Sequence, residues 1–139
     1  MKLWYFNERS MALSGDKITK TVAGRLRLLD KTKSKRGKWY VEPSLRLNTP
    51  VQGSAGDGFK YAAALAHERL AECPGNPMVV NYVHDELVLE VDEDHTAAAT
   101  EWLKTCMIDG MTEVLGEDHR DLINIDLRDS DVWRETEDD

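Results

Sequence analysis

Val79-Val80-Asn81-Tyr82-Val83-His84-Asp85-Glu86-Leu87-Val88-Leu89-Glu90-Val91 is a pair of β-branched and apolar runs that meet at one histidine and two adjacent carboxylates. The Val, Tyr and Leu flanks favour strands, and the break comes at polar residues without a long loop, so the stretch predicts a tight antiparallel hairpin. His84, Asp85 and Glu86 then sit at the bend. Side chains alternate faces along a strand, so Asp85 and Glu86 begin by pointing in different directions and need not share a task. A carboxylate held beside another on a rigid turn gains most by meeting a cation, and a divalent metal is the natural candidate. The competing reading is a solvated acidic turn.

Upstream of the hairpin, Ala55, Phe59, Ala62, Ala63, Ala66 and Leu70 recur at the three-to-four spacing of one helical face, with Lys60, His67, Glu68 and Arg69 largely off it. This predicts a helix over 54–71, ended by Pro74, Gly75 and Pro77. Downstream, Asp94 is a candidate cap for a second helix that runs to Leu115 through Ala98, Ala99, Trp102, Leu103, Cys106, Met107, Met111 and Val114. Leu122 to Leu127 alternates in the manner of a half-buried strand. Toward the N-terminus, 21–29 and 39–41 read as short extended pieces with 31–37 as the loop between them. Residues 1–16 hold Trp4, Tyr5 and Phe6 but no sustained period and are read as an uncertain lead-in. The acidic tail 134–139 is read as disordered.

Strands separated by two long helices around a central acidic hairpin make an α+β fold. The expected form is a mostly antiparallel sheet with both helices packed on one face, in a single domain spanning 1–139.

The chain of 139 residues carries a net charge of −8, distributed very unevenly. Residues 1–60 hold 13 Lys or Arg against 5 Asp or Glu, whereas 61–139 hold 5 against 21. Nine of the bases fall between Lys17 and Lys38, with Asp30 the sole acid among them. Such a block is either a solvated loop or hairpin, or a phosphate-contacting surface. Cys73 and Cys106 are isolated, with no ligand spacing around them, which predicts two reduced thiols and a cytoplasmic location. No apolar run approaches a membrane span, and no secretory signal pattern is present.

Leu47-Asn48-Thr49-Pro50-Val51-Gln52-Gly53-Ser54-Ala55-Gly56-Asp57-Gly58-Phe59-Lys60, taken with Val83-His84-Asp85-Glu86, closely resembles the C-terminal palm region of family A DNA polymerases. There an Asn-x-Pro-x-Gln-Gly segment opens a long helix that leads to a Val-His-Asp-Glu hairpin. The similarity extends from Gly24-Arg25-Leu26-Arg27 to Val132-Trp133. It implies template-directed nucleotidyl transfer by a two-metal mechanism, with Mg²⁺ bound by Asp85, Glu86 as a weaker contributor near the primer end, and His84 positioning the primer strand. Asn48 and Gln52 match positions on the minor-groove side of the duplex, where an amide senses the acceptors that every correct pair presents. Arg25 and Arg27 match phosphate contacts. Asp57, at the matching helix start, is given a structural role beside the helix dipole. The family carries a basic residue four positions before the Asn. Here that position is Ser44, and Arg46, two positions before, is the basic residue assigned to DNA.

The implied partners are primer-template DNA and deoxynucleoside triphosphates. The Asp-Tyr-Ser strand that supplies the other metal-binding aspartate in that family has no counterpart in this sequence, and neither does the triphosphate-binding finger helix. A second polymerase chain or a homo-oligomer is therefore expected, with the isolated chain inactive. The alternative is a non-catalytic DNA-binding or accessory module that keeps the palm surface.

Overall fold

The computed structural model describes residues 2–132, with side chains from Trp4 onward. The disordered-tail reading of 134–139 lies outside the described residues. The chain divides into two compact units, 1–58 and 59–139.

Unit 1 opens with α1 (Lys2–Ser14), where the sequence suggested only a lead-in. The helix was hidden because it is shallowly seated: Ala12 is fully buried, while Trp4, Phe6 and Leu13 stay exposed. Two short antiparallel ribbons follow, β1 (Ile18–Lys20) with β2 (Leu26–Leu28), and β3 (Lys31–Lys33) with β4 (Trp39–Val41). The supposed loop 31–37 thus contains a strand, and the basic block is a pair of hairpins. Val41 and Leu29 close over Ala12 to form the small core of this unit.

Helix α2 (Pro43–Glu68) begins eleven residues before the predicted start at Ser54. Its first residue is Pro43, whose fixed φ and missing N–H suit the opening turn. Pro50 lies inside the helix and removes one intrahelical hydrogen bond without ending it. The division between the units falls within α2.

Unit 2 contains the hairpin β5 (Met78–Val83) and β6 (Glu86–Glu90), then α3 (Thr96–Leu115). A 3₁₀ turn, Glu93–His95, precedes α3, and Asp94 supplies no side-chain cap. Ala62 and Ala66 of α2 are fully buried, and Gly110 of α3 faces them so closely that a Cβ there would lie 2.2 Å from the Ala62 nitrogen. Asp109 of α3 ties in the chain just beyond the ends of α2 and of α3, accepting hydrogen bonds from Arg69 and Arg120, each at 2.7 Å. These two guanidinium partners, Arg69 first, hold the Asp109 carboxyl below its ordinary range. Cys73 and Cys106 are free and buried, and burial raises both thiol pKa values.

The α+β class and the antiparallel pairing agree with the sequence reading. The described strands form three separate two-stranded ribbons in place of one sheet, because each ribbon closes on its own local turn. Segment 122–127 is a further departure. Ile123, Ile125 and Leu127 are half-buried and Asn124 and Asp126 exposed, so the alternation is present, but among the described residues no strand pairs with it. Among the described residues, no helix is long and apolar enough to cross a membrane.

Candidate nucleic-acid and metal site

The acidic hairpin forms as its sequence requires. Val83 pairs with Glu86, leaving His84 and Asp85 as a two-residue loop. His84 takes a positive φ of 53°, a backbone region that favours Gly but admits His more readily than most residues. His84, Asp85 and Glu86 are all exposed. Leu87, Val88 and Leu89 behind them are half-buried, so the apolar strand holds the tip while the charges stand in solvent. The root is latched locally. Asp92 donates its N–H to the Gly75 carbonyl at 2.8 Å, and Asn76 donates from Nδ2 to the Asp92 carboxylate at 2.9 Å. Gly75 has φ of 83°, and a Cβ there would meet the His95 Cβ at 2.6 Å.

Asp85 and Glu86 offer hard oxygen donors, and Mg²⁺ commonly takes only one or two carboxylates, completing its shell with water and phosphate oxygens. The pair fits that kind of site. Among the described residues there is no group of three or more His, Cys, Asp or Glu able to hold an ion by itself.

The other candidates belong to unit 1. Asn48 and Gln52 are one helical turn apart on α2 and both are exposed. On the adjoining stripe, Arg27 donates to Thr49 Oγ1 at 3.3 Å, while Arg25 donates to the Gly53 carbonyl at 3.1 Å and to Asp57 at 2.7 Å. The β1–β2 ribbon is therefore tied along α2 through Thr49, Gly53 and Asp57, of which Thr49 and Gly53 directly follow Asn48 and Gln52 in the chain. Arg25 keeps half of its side-chain surface in solvent. Asp57, given a place at a helix start by the sequence, lies in the interior of α2 and is buried as the partner of Arg25.

Arg46 departs from expectation. It is only 2% exposed and donates to Glu8 at 2.7 Å, to the Asp16 carbonyl at 3.0 Å and toward Met11 Sδ at 3.5 Å. A guanidinium enclosed by two acids from elsewhere in its own unit holds that unit together and has no free face for a phosphate. The assignment of Arg46 to DNA is thus corrected. The sequence carried a faint signal, since Glu8 and Asp16 are among only five acids in the basic first sixty residues.

The model of DNA polymerase family A matches residues 4–117. Among curated proteins, DNA polymerase theta of Caenorhabditis elegans is 27% identical over 80% of this chain and 7% of its own length. DNA polymerase I of Pseudomonas aeruginosa is 33% identical over 73% of this chain and 11% of its own. Among solved structures, the POL domain of Pol1 from M. smegmatis, in complex with DNA primer-template and dNTP, aligns with a TM-score of 0.59 and 25% identity. That alignment covers 81% of this chain and 19% of the other. The chain therefore spans about a tenth of the curated relatives it matches.

Proposed function

This chain belongs to DNA polymerase family A, and from that premise we propose that it acts as a palm portion in template-directed nucleotidyl transfer. The observation that carries the reading is the β5–β6 tip, a two-residue loop that exposes Asp85 beside Glu86 on a latched ribbon. Asp85 holds Mg²⁺, Glu86 adds a weaker oxygen near the primer end, and His84 orients the primer strand. When bound, the ion lowers the pKa of an attacking hydroxyl and screens triphosphate charge. Asn48 and Gln52 donate to minor-groove acceptors, and Arg25 and Arg27 contact phosphates.

Primer-template DNA and deoxynucleoside triphosphates are the ligands, in keeping with the complex of the M. smegmatis relative. A second polymerase chain that carries the Asp-Tyr-Ser strand and the finger helix supplies the remaining metal carboxylate and the triphosphate grip.

Manganese, a paramagnetic substitute for Mg²⁺, provides the test. With primer-template DNA present, it should broaden the amide signals of residues 84–86 selectively, and Asp85→Asn should abolish the effect while leaving DNA affinity within about twofold. Broadening that ignores this substitution refutes the metal role. Robust primer extension by the lone chain refutes the need for a partner. Duplex binding without any manganese effect favours the non-catalytic module.

A further inference from the structure

The β3–β4 ribbon has no part in the reading above, yet it concentrates positive charge more densely than either of the other two ribbons. Across 31–41 stand Lys31, Lys33, Lys35, Arg36 and Lys38 with no acid, and all five are exposed. Among the described residues none of the five enters an ion pair, in contrast to Arg25 and Arg46 of the same unit. The ribbon's tip is ordered by its own bonds. Ser34 and Lys38 share a 2.8 Å backbone hydrogen bond, the Lys38 N–H also meets Ser34 Oγ at 3.1 Å, and Gly37 turns the chain with φ of 79°. Its root is fixed by fully buried Val41.

Trp39, paired with Lys33 across the ribbon, is 55% exposed, and the Lys33 ammonium lies 5.8 Å from its ring centroid. The indole face is therefore open to solvent beside the lysines of its own ribbon. Closely spaced cations around an exposed aromatic ring suit a partner that alternates phosphates with flat, stackable rings. A paired base hides its face in the duplex, whereas an unpaired base can lie on the indole.

We propose that the β3–β4 ribbon binds an unpaired nucleic-acid strand, with Lys33, Lys35, Arg36 and Lys38 on its phosphates and Trp39 stacked on a base. The inference rests on the DNA-binding part of the proposed function and adds to it a contact outside the duplex face.

Fluorescence anisotropy with a labelled single-stranded oligonucleotide, and with a duplex of the same length, tests it on the full chain. Trp39→Ala should weaken single-strand binding about tenfold, the scale of one lost base stack, and should change duplex binding much less. Trp39→Phe, which keeps a ring, should restore most of the loss and guards against a folding artefact. The K33Q/K35Q/R36Q/K38Q variant should flatten the dependence of log affinity on log salt by about 0.7 for each single-strand phosphate released. Unchanged single-strand affinity in Trp39→Ala, or an equal loss on both DNAs, overturns the proposal. A wild-type chain that binds duplex but no single strand also overturns it, while leaving the primer-template face and the manganese result at Asp85 intact.

Discussion

The two halves of α2 are held by opposite means. In unit 1 the inward positions are polar: Arg46, Thr49, Ser54 and Asp57 are all buried. Each meets a specific partner, since Arg46 reaches Glu8, Thr49 takes a bond from Arg27, Ser54 accepts the Val22 N–H at 2.9 Å, and Asp57 receives Arg25. In unit 2 the inward positions are Ala62 and Ala66, small enough for the α3 backbone to press against them at Gly110. One half depends on matched charges and hydrogen bonds, and the other on the absence of side-chain bulk. A single helix can thus be buried by two codes, and only the alanine code registers as hydrophobic.

The largest effect should come from breaking the buried charge. Arg46→Ala leaves Glu8 and Asp16 facing a gap and should cost about 3–5 kcal/mol, seen as a lowered urea midpoint with hydrogen exchange accelerated in residues 1–58. The paired change Arg46→Met with Glu8→Met should recover much of that loss, because only Asp16, the more exposed of the two acids, is left without its cation. If the single substitution is silent, the polar code is wrong.

Gly110→Ala probes the other half. Overpacking of this kind costs about 1–3 kcal/mol, and here the obstacle is backbone, so the upper end is expected in thermal unfolding. Exchange protection should fall first around Ala62 and Ala66.

Ser54→Ala should cost about 1 kcal/mol, the net worth of the hydrogen bond to Val22, and should loosen the β1–β2 ribbon while α3 is unaffected. Amide exchange at Val22 reports it directly.

The smallest expected effect concerns acid. Because Arg69 and then Arg120 depress the folded pKa of Asp109, its contribution to stability is complete above the ordinary carboxylate value of about 3.9 and disappears as pH falls through the lower folded value. Denaturant titrations from pH 6 down to about pH 2 should show a steeper loss in the wild type than in Asp109→Asn. Parallel curves would mean that the triad contributes nothing.

The same contrast explains what could be read in advance. The hairpin was legible from its Val and Leu runs, and α3 from its apolar period, with its observed start at Thr96 only two residues past the cap candidate Asp94. The unit 2 half of α2 was legible through its alanines. Its first half was not, because a hydrophobic pattern cannot register Arg46, Thr49, Ser54 and Asp57 as inward positions, and Thr49-Pro50 reads as a break. Helix α1 escaped because it buries little beyond Ala12. At 122–127 the period was correct, but a ladder needs a neighbour that no local pattern can specify. Asn48 and Gln52 emerged from a motif, yet the bonds that tie Arg27 to Thr49 and Arg25 to Gly53 needed three-dimensional pairing across more than twenty residues.

One irregularity in β5 governs more than its size suggests. The ladder steps from Val79–Leu89 directly to Asn81–Val88, so Val80 has no opposite number. Such an extra residue bends its strand and tightens the local coil. The root is latched at Gly75 and Asp92, which makes Val80 the elbow of the arm, deciding where Asp85 and Glu86 aim. Deleting it would keep every rung and straighten the limb, a change nearly silent to a melting curve and decisive for whatever the fingertips must reach.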